Sequence, residues 1–109
     1  MIVCLRTVDV PPRERGRFLE WIDENREIRQ EHGIIFELVL ERPDDDTGEC
    51  IVITAWPSDD VFDAWIATPH RARLTASDVH RIVGFRPITR YNVVAGYVSN
   101  NARTKERAR

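Results

Sequence analysis

The stretch ITAWPSDDVFDAWIATPHRARL holds the residue types best suited to chemistry. Trp56 and Trp65 lie nine residues apart, and His70 follows the second tryptophan by five residues. Two indole rings can wall an apolar pocket, and a histidine can give or take a proton near neutral pH. Because Pro69 breaks the helix that carries Trp65, we expect His70 to turn back toward the same pocket. His70 is therefore the candidate catalytic acid, base or ligand.

Each of these residues also has a purely structural explanation. Tryptophans at strand ends and on helix faces are usually core residues, and a histidine at a helix break often caps carbonyl groups or faces solvent. The two explanations are compatible for Trp56 and Trp65, since a pocket wall is also part of the core. His32, in the last turn of an expected helix, and His80, beside charged neighbours, are expected to be structural.

Motifs that hold metals or nucleotides are absent from the sequence. Cys4 and Cys50 sit separately in apolar runs, which gives neither a disulfide framework nor a zinc spacing, and a reducing cytoplasm suits them. No glycine-rich phosphate loop or GxGxxG occurs, and DDDTGE lacks the closing ligands of a calcium loop. We therefore predict no metal site and no bound cofactor.

Composition indicates one globular domain. The chain has 109 residues, of which 42% are hydrophobic and 31% charged, and its net charge is -2. Such a chain presents no basic field for nucleic acid or anionic lipid. No stretch approaches the ~20 apolar residues that span a bilayer, and the first residues lack the charged start of a signal peptide. The expectation is a cytoplasmic protein with no nucleic-acid and no membrane partner.

Hydrophobic periodicity and turn residues define the expected elements. The strands, all rich in β-branched residues, are residues 1–10, 34–41, 50–56 and 88–97. The helices, all with apolar residues three or four apart, are residues 13–32, a segment capped by Ser58, and residues 72–83. This order predicts an α+β protein with the ferredoxin-like split βαβ arrangement and an antiparallel four-stranded sheet. Residues 1–97 form this domain, and the polar residues 98–109 are expected to be a disordered tail.

The expected strands are apolar on both faces. Strands covered by helices on one face alone alternate apolar and polar residues, whereas CIVITA, IIFELVL and YNVVAGY are apolar at both alternate positions. A monomer rarely leaves an apolar face of that size in water. We therefore predict that the sheet of a second copy covers it, which makes the protein a homodimer.

Three segments carry a family resemblance. EHGIIFELVLER has a helix-ending glycine followed by a strand, ITAWPSDDVFDAW has a strand-end tryptophan followed by serine, acids and aromatics, and PITRYNVVAGY is a last strand. Together they resemble the antibiotic-biosynthesis monooxygenase domain of the dimeric α+β barrel superfamily over residues 1–97. The resemblance implies a dimeric α+β barrel with a pocket between the sheet and the helices.

The resemblance also implies which residues line that pocket. Trp56 matches a strand-end tryptophan that lines the substrate pocket of cofactor-free oxygenases. Phe62 falls where such an oxygenase has a tyrosine and Val52 where it has an asparagine, so two polar groups that would orient a phenol are missing. The implied pocket-lining residues are Thr7, Val52, Trp56, Phe62 and Trp65.

Haem-degrading members of the family provide a second set of positions. Trp65 matches the tryptophan that distorts the porphyrin in those enzymes. Thr7 falls where they have an asparagine, and Thr75 falls at their iron-binding histidine. His70 comes too early and His80 too late for a simple match to that ligand.

Three functions remain open from the sequence. The leading one is a cofactor-independent monooxygenase that acts on a small aromatic, phenolic or quinol-like substrate, with His70 as a candidate base. The alternative is a non-catalytic module that binds a small apolar or aromatic ligand, or that serves a structural or regulatory role as a dimer. A haem-degrading monooxygenase is the third.

Overall fold

The computed structural model describes residues 1–43 and 47–97, which form an α+β domain. The strands are β1 Ile2–Asp9, β2 Phe36–Leu40, β3 Glu49–Trp56, β4 Gly84–Phe85 and β5 Thr89–Asn92. The helices are α1 Arg15–Glu24, α2 Arg26–Glu31, α3 Asp59–Ile66, α4 Pro69–Thr75 and α5 Asp78–Ile82, and a 3-10 turn at Pro12–Glu14 precedes α1. The expected tail, residues 98–109, lies outside the described residues.

The sheet is antiparallel and runs in the order β2, β3, β1, with β4 and β5 together on the outer edge of β1. Val8 pairs with Phe85 and Leu5 with Thr89, so three residues of the edge strand lie opposite two residues of β1. One extra residue of this kind is a β-bulge, a position that tolerates proline, and Pro87 lies within it. The expected fourth strand, residues 88–97, is therefore preceded by the short strand β4, which the sequence did not predict, and the expected ferredoxin-like α+β fold is confirmed.

The expected first helix, residues 13–32, is divided at Asn25. The Asn25 side-chain amide donates to the Trp21 carbonyl at 2.8 Å, and α2 starts at the next residue. An asparagine that bonds to nearby backbone competes with helix continuation. The expected helix at 72–83 is likewise two helices: Pro69 opens α4 as its first residue, and Ser77 accepts from the His80 amide to start α5.

The last strand is shorter than its sequence predicts. Asn92 pairs with Ile2, the first residue of β1, and the Val93 amide then donates to the Met1 carbonyl at 3.0 Å. Residues 93–97 lie outside the ladder, although their composition is typical of a strand.

The helices cover one face of the sheet. The side chains of β1 that face the helices are the even-numbered ones, because Cys4 and Val8 are buried there with their partners Thr54 and Cys50. Two groups of buried side chains form the core, one around Val8 and Phe18 and the other around Trp56 and Trp65. A cavity lies where these groups meet.

The other face of the sheet is open and apolar. Its exposed side chains are Phe36, Leu38, Leu40 and Tyr91, with exposed fractions of 38%, 50%, 42% and 54%. Val3, Leu5 and Ile53 lie among them on the same face. This arrangement is what apolar residues at both alternate positions predict. We call these residues the open face.

Within the part of the chain that the structure describes, no helix has the length and apolar character needed to cross a bilayer.

Candidate functional site

A cavity of about 110 Å³ lies between the sheet and the helices. The aromatic side chains that line it, among the described residues, are Phe18, Trp21, Trp56, Phe62, Trp65 and Phe85. The polar side chains of its lining include Arg6, Arg29, Glu37, Arg71 and His80. Apolar pockets with a few convergent polar groups are the usual form of small-molecule sites.

The aromatic wall is built from the end of β3 and from α3. The Trp56 ring lies 5.1 Å from Phe62 and 6.3 Å from Trp65, measured between centroids. Its indole nitrogen donates to the Thr54 hydroxyl at 3.1 Å, which orients the ring. Ser58 accepts from the third residue of α3 and thereby starts this helix, so that Phe62 and Trp65 face the sheet three residues apart.

Arg90 holds α3 against the last strand from outside the wall. Its guanidinium carbon lies 4.7 Å from the Phe62 ring centroid, and its nitrogens pair with Asp59 at 3.2 Å and with Asp63 at 2.7 Å. The aromatic face and the two carboxylates together stabilise the positive charge of Arg90. Arg90 is therefore a structural arginine.

Three of the polar lining residues come from β1, α4 and α5. Arg6 reaches over Phe85, with its guanidinium carbon 5.2 Å from the ring centroid, and its buried Nε atom has no hydrogen-bond partner among the described residues. The His80 ring stacks on the same Phe85 ring at 4.5 Å. Arg71 is the third residue of α4, and its backbone amide donates to the capping Thr68 hydroxyl. We call Arg6, Arg71 and His80 the basic cluster.

Burial and mutual repulsion set the charge of the basic cluster. Burial, followed by Arg71, lowers the pKa of Arg6, and burial, followed by Arg29, lowers the pKa of Arg71. Arginine nevertheless stays protonated in proteins. Burial, followed by Arg6 and Arg71, lowers the pKa of His80 below its ordinary value of 6.5. His80 is therefore neutral at neutral pH, next to two positive charges.

A buried ion pair neutralises the third arginine of the lining. Arg29 is 8% exposed, and its Nη2 atom donates to Glu37 Oε1 and to the Ile22 carbonyl, both at 2.8 Å. Burial raises the pKa of Glu37, and Arg29 opposes that rise. Among residues 1–43 and 47–97, Arg6 and Arg71 have no such carboxylate partner. The lining thus carries an uncompensated positive charge.

The structure brings four of the expected pocket residues together. Val52, Trp56, Phe62 and Trp65 all line the cavity. Thr7 lies elsewhere: it pairs with Ile51 on the open face. The reason is strand alternation, which turns Arg6 toward the helices and Thr7 away from them.

His70 lies outside the lining. Since Pro69 opens α4 instead of ending the helical region, His70 is the second residue of a new helix. Its Nε2 atom is 3.4 Å from Asn25 Oδ1, its Nδ1 atom is 3.4 Å from Arg73 Nη2, and its ring centroid is 6.2 Å from Trp65. His70 therefore joins α4 to the α1–α2 junction.

Sequence reasoning missed the basic cluster. One signal was available, because Arg6 shares its strand parity with the buried residues Cys4 and Val8, and a charge at such a position is unusual unless it has a role. No comparable signal exists for Arg71. His80 was expected to be structural, and in the structure it lines the cavity.

The chain resembles known proteins in its sequence and in its fold. The family model described as antibiotic biosynthesis monooxygenase matches residues 1–76, which is more than half of the chain. No curated protein matches the sequence significantly.

Solved structures share the fold at low identity. An antibiotic biosynthesis monooxygenase homologue from Deinococcus radiodurans has a TM-score of 0.69 at 20% identity, over 92% of this chain and 97% of its own. The haem degrader MhuD from Mycobacterium tuberculosis has a TM-score of 0.70 at 18% identity, over 90% and 100%. SnoaB, a cofactor-independent oxygenase from Streptomyces nogalater, has a TM-score of 0.71 at 13% identity, over 87% and 94%.

Proposed function

Because this chain belongs to the antibiotic biosynthesis monooxygenase family, we propose that it oxygenates a small phenolic or quinol-like aromatic substrate, with dioxygen as the only co-substrate. One observation carries this proposal: an aromatic cavity meets a neutral histidine and two positive charges without carboxylate partners. That combination suits an aromatic substrate whose hydroxyl group is neutral when it binds and becomes an anion when it reacts.

The basic cluster would perform the first step, which is removal of the hydroxyl proton. Neutral His80 can accept that proton, and the guanidinium group of Arg6, which shares the Phe85 ring with His80, stabilises the resulting phenolate. The aromatic wall excludes water, which strengthens this attraction between charges. His80 thus replaces His70 as the proposed base, since His70 does not line the cavity.

The second step needs no reductant other than the substrate. A phenol with a free ring C–H and dioxygen together give a quinone and water: one oxygen atom becomes the new carbonyl, and the other leaves in water with the hydroxyl and ring hydrogens. The substrate supplies the four electrons that the two oxygen atoms take up. The phenolate is the form that gives up electrons most readily, which links the basic cluster to this oxidation.

Isotope labelling tests the proposal directly. The purified protein would be incubated with a panel of phenols and quinols under ¹⁸O₂, and oxygen uptake and quinone mass would be measured. We expect one ¹⁸O atom in each quinone molecule, saturable kinetics, and a loss of turnover in His80→Gln. The control is Arg81→Gln, because Arg81 is an exposed neighbour on the same helix. Equal rates with His80→Gln and the unaltered protein would remove His80 from the reaction.

A non-catalytic binding module is the second candidate. Val52 and Phe62 line the cavity but carry no polar group that could orient a reacting oxygen. The same aromatic wall and basic cluster could then hold an aromatic anion without changing it. Saturable binding of an aromatic ligand with no oxygen uptake across the panel would favour this function.

Haem degradation, which the resemblance also raised, has little support from the lining. An iron-binding histidine would have to face the cavity. Thr75 is exposed at the end of α4, and His70 lies outside the cavity. His80 faces it, but Arg6 and Arg71 oppose a metal cation there, as they oppose protonation of the ring. The described residues therefore do not fit a haem iron.

We also propose that two copies of the chain pair through the open face. Four large apolar side chains are exposed on it, and the helices cover only the other side of the sheet. A face of this kind is stable in water when a second sheet covers it, and a two-fold pairing buries the same residues on both copies.

A further inference from the structure

The arginines of this chain differ in how their charges are balanced. Arg29, Arg86 and Arg90 each pair with a carboxylate, at 2.8 Å, 2.7 Å and 2.7 Å. Arg6 and Arg71 line the cavity and have no carboxylate partner within the described ranges. A half-buried cation without a partner is costly, and the chain neutralises Arg29 in the same lining. The exception at Arg6 and Arg71 therefore points to a ligand.

The number of unpaired positive charges in the lining indicates how many anionic groups a ligand should carry. Among the described residues, three arginines and one glutamate line the cavity, and Arg29 and Glu37 neutralise each other, so two positive charges remain while His80 is neutral. Transfer of the hydroxyl proton to His80 leaves this total unchanged, because the new imidazolium charge offsets the new phenolate charge. A further anionic group, which the substrate would bring with it, is what reduces this excess.

We propose that the substrate is a hydroxylated aromatic carboxylic acid whose carboxylate binds to Arg71. This inference rests on the proposed function only for the hydroxyl group, because a carboxylate site holds for a non-catalytic ligand as well. Arg6 and His80 share the Phe85 ring and lie together at the reacting hydroxyl. Arg71, on a different helix, is then free to hold the second acidic group.

A carboxylate is the anion that this site suits best. The guanidinium group is planar and offers parallel donors, which match the two oxygens of a carboxylate. The carboxylate lies in or near the plane of an aromatic ring, and the wall of Trp56, Phe62 and Trp65 accepts a flat ligand. With the carboxylate neutralising Arg71, the charge of Arg6 remains available to the phenolate.

Intrinsic fluorescence offers a binding assay that reports on the cavity alone. The chain has three tryptophans, and all of them line the cavity. The probes are 6-hydroxy-2-naphthoate and 6-hydroxy-2-naphthamide, which have the same ring and hydroxyl group but differ in charge. Titration under argon keeps oxygenation out of the measurement. We expect the carboxylate to bind about tenfold more tightly than the amide at pH 7, as one charge-assisted pair would produce.

Arg71→Gln and its matched control assign the site. In Arg71→Gln the carboxylate should lose its advantage while the affinity for the amide changes less than about twofold, because the ring contacts remain. Arg73→Gln removes the same charge from the same helix outside the cavity and should keep the advantage. Equal affinities for the two probes in the unaltered protein, or an unchanged preference in Arg71→Gln, would overturn the proposal.

The two proposals can fail separately. Carboxylate preference without oxygen uptake would refute the oxygenase function and leave the carboxylate site in place. Oxygen uptake with no carboxylate preference would do the reverse. Since the comparison of the two probes uses the unaltered protein, it gives an answer even if Arg71→Gln fails to fold.

Discussion

The residues that carry the proposed function are those whose charge the fold leaves unbalanced. His80 is the clearest case, because burial, Arg6 and Arg71 all act to keep it unprotonated. A histidine whose folded pKa lies below its unfolded pKa is a base over a wider pH range, and it makes the folded state less stable as the pH falls. Function and stability are thus linked at one side chain.

The pH profile tests this linkage. Turnover should rise with pH along a limb whose midpoint lies below 6.5, the ordinary histidine pKa. Arg6→Gln should move the midpoint upward, because it removes one of the charges that disfavour the imidazolium. An NMR titration of the histidine ring protons, assigned with His80→Gln, measures the same pKa without turnover. A midpoint at or above 6.5 in the unaltered protein would contradict the proposed electrostatics.

His70 should have a structural effect only. His70→Ala removes the contacts with Asn25 and Arg73 and should lower the melting temperature, while turnover and naphthoate binding stay within about twofold. The readouts are thermal unfolding and the fluorescence titration. An unchanged melting temperature with a large loss of turnover would return His70 to the mechanism.

Haem provides a third test at the level of single residues. Titration with haemin should give no sharp, stoichiometric Soret band, because the described residues that line the cavity include no histidine free of a neighbouring positive charge. Absorbance spectra over the titration check this. A one-to-one band that His80→Ala abolishes would show that the histidine binds iron despite its neighbours.

At the scale of elements, ends and breaks place the site residues. Ser77 starts α5 and so presents His80 to the cavity, while Thr68 starts α4 and presents Arg71. The bulge at Pro87 lets the edge strand pair twice with β1, once on each side of the extra residue. The Arg29–Glu37 pair then joins α2 to β2 beneath the aromatic wall.

The ion pair between α2 and β2 should respond strongly to the loss of one partner. Glu37→Gln leaves the Arg29 charge buried and should cost about 3–5 kcal/mol of unfolding free energy, measured by urea denaturation. Asp23→Asn removes one partner of the exposed Asp23–Arg26 pair and should cost no more than about 1 kcal/mol. Similar losses in both variants would mean that the buried pair contributes no more than a surface pair.

At the scale of the whole molecule, the exposed apolar side chains of the open face predict that a second copy of the chain covers it. The chain has a mass of 12.7 kDa, and light scattering at micromolar concentration should give twice that value. Leu38→Glu places a charge on the open face and should shift the mass to that of the monomer. Leu19→Glu changes an exposed leucine on α1 and should leave the mass unchanged. A monomeric mass for the unaltered protein would refute the pairing.

The sequence by itself determined the fold, the family and the aromatic wall. The alternation of apolar and polar residues, helical periodicity and turn residues are local properties of the sequence. They therefore indicate the strands and separate the two faces of the sheet without three-dimensional information. They also predicted the apolar open face, and they placed Trp56 and Trp65 together because one short turn joins their elements.

Only the tertiary structure decided which charges meet in the cavity. Arg6 lies on β1, far along the chain from Arg71 on α4 and His80 on α5, and no local period links the three. Their convergence depends on where α4 and α5 begin, since a helix that starts a few residues earlier or later turns a different side chain inward. The sequence favoured His70 on the assumption that Pro69 only broke a helix. In the structure Pro69 is the first residue of α4, and this start places the His70 side chain against Asn25. Arg71 and His80 line the cavity instead of His70.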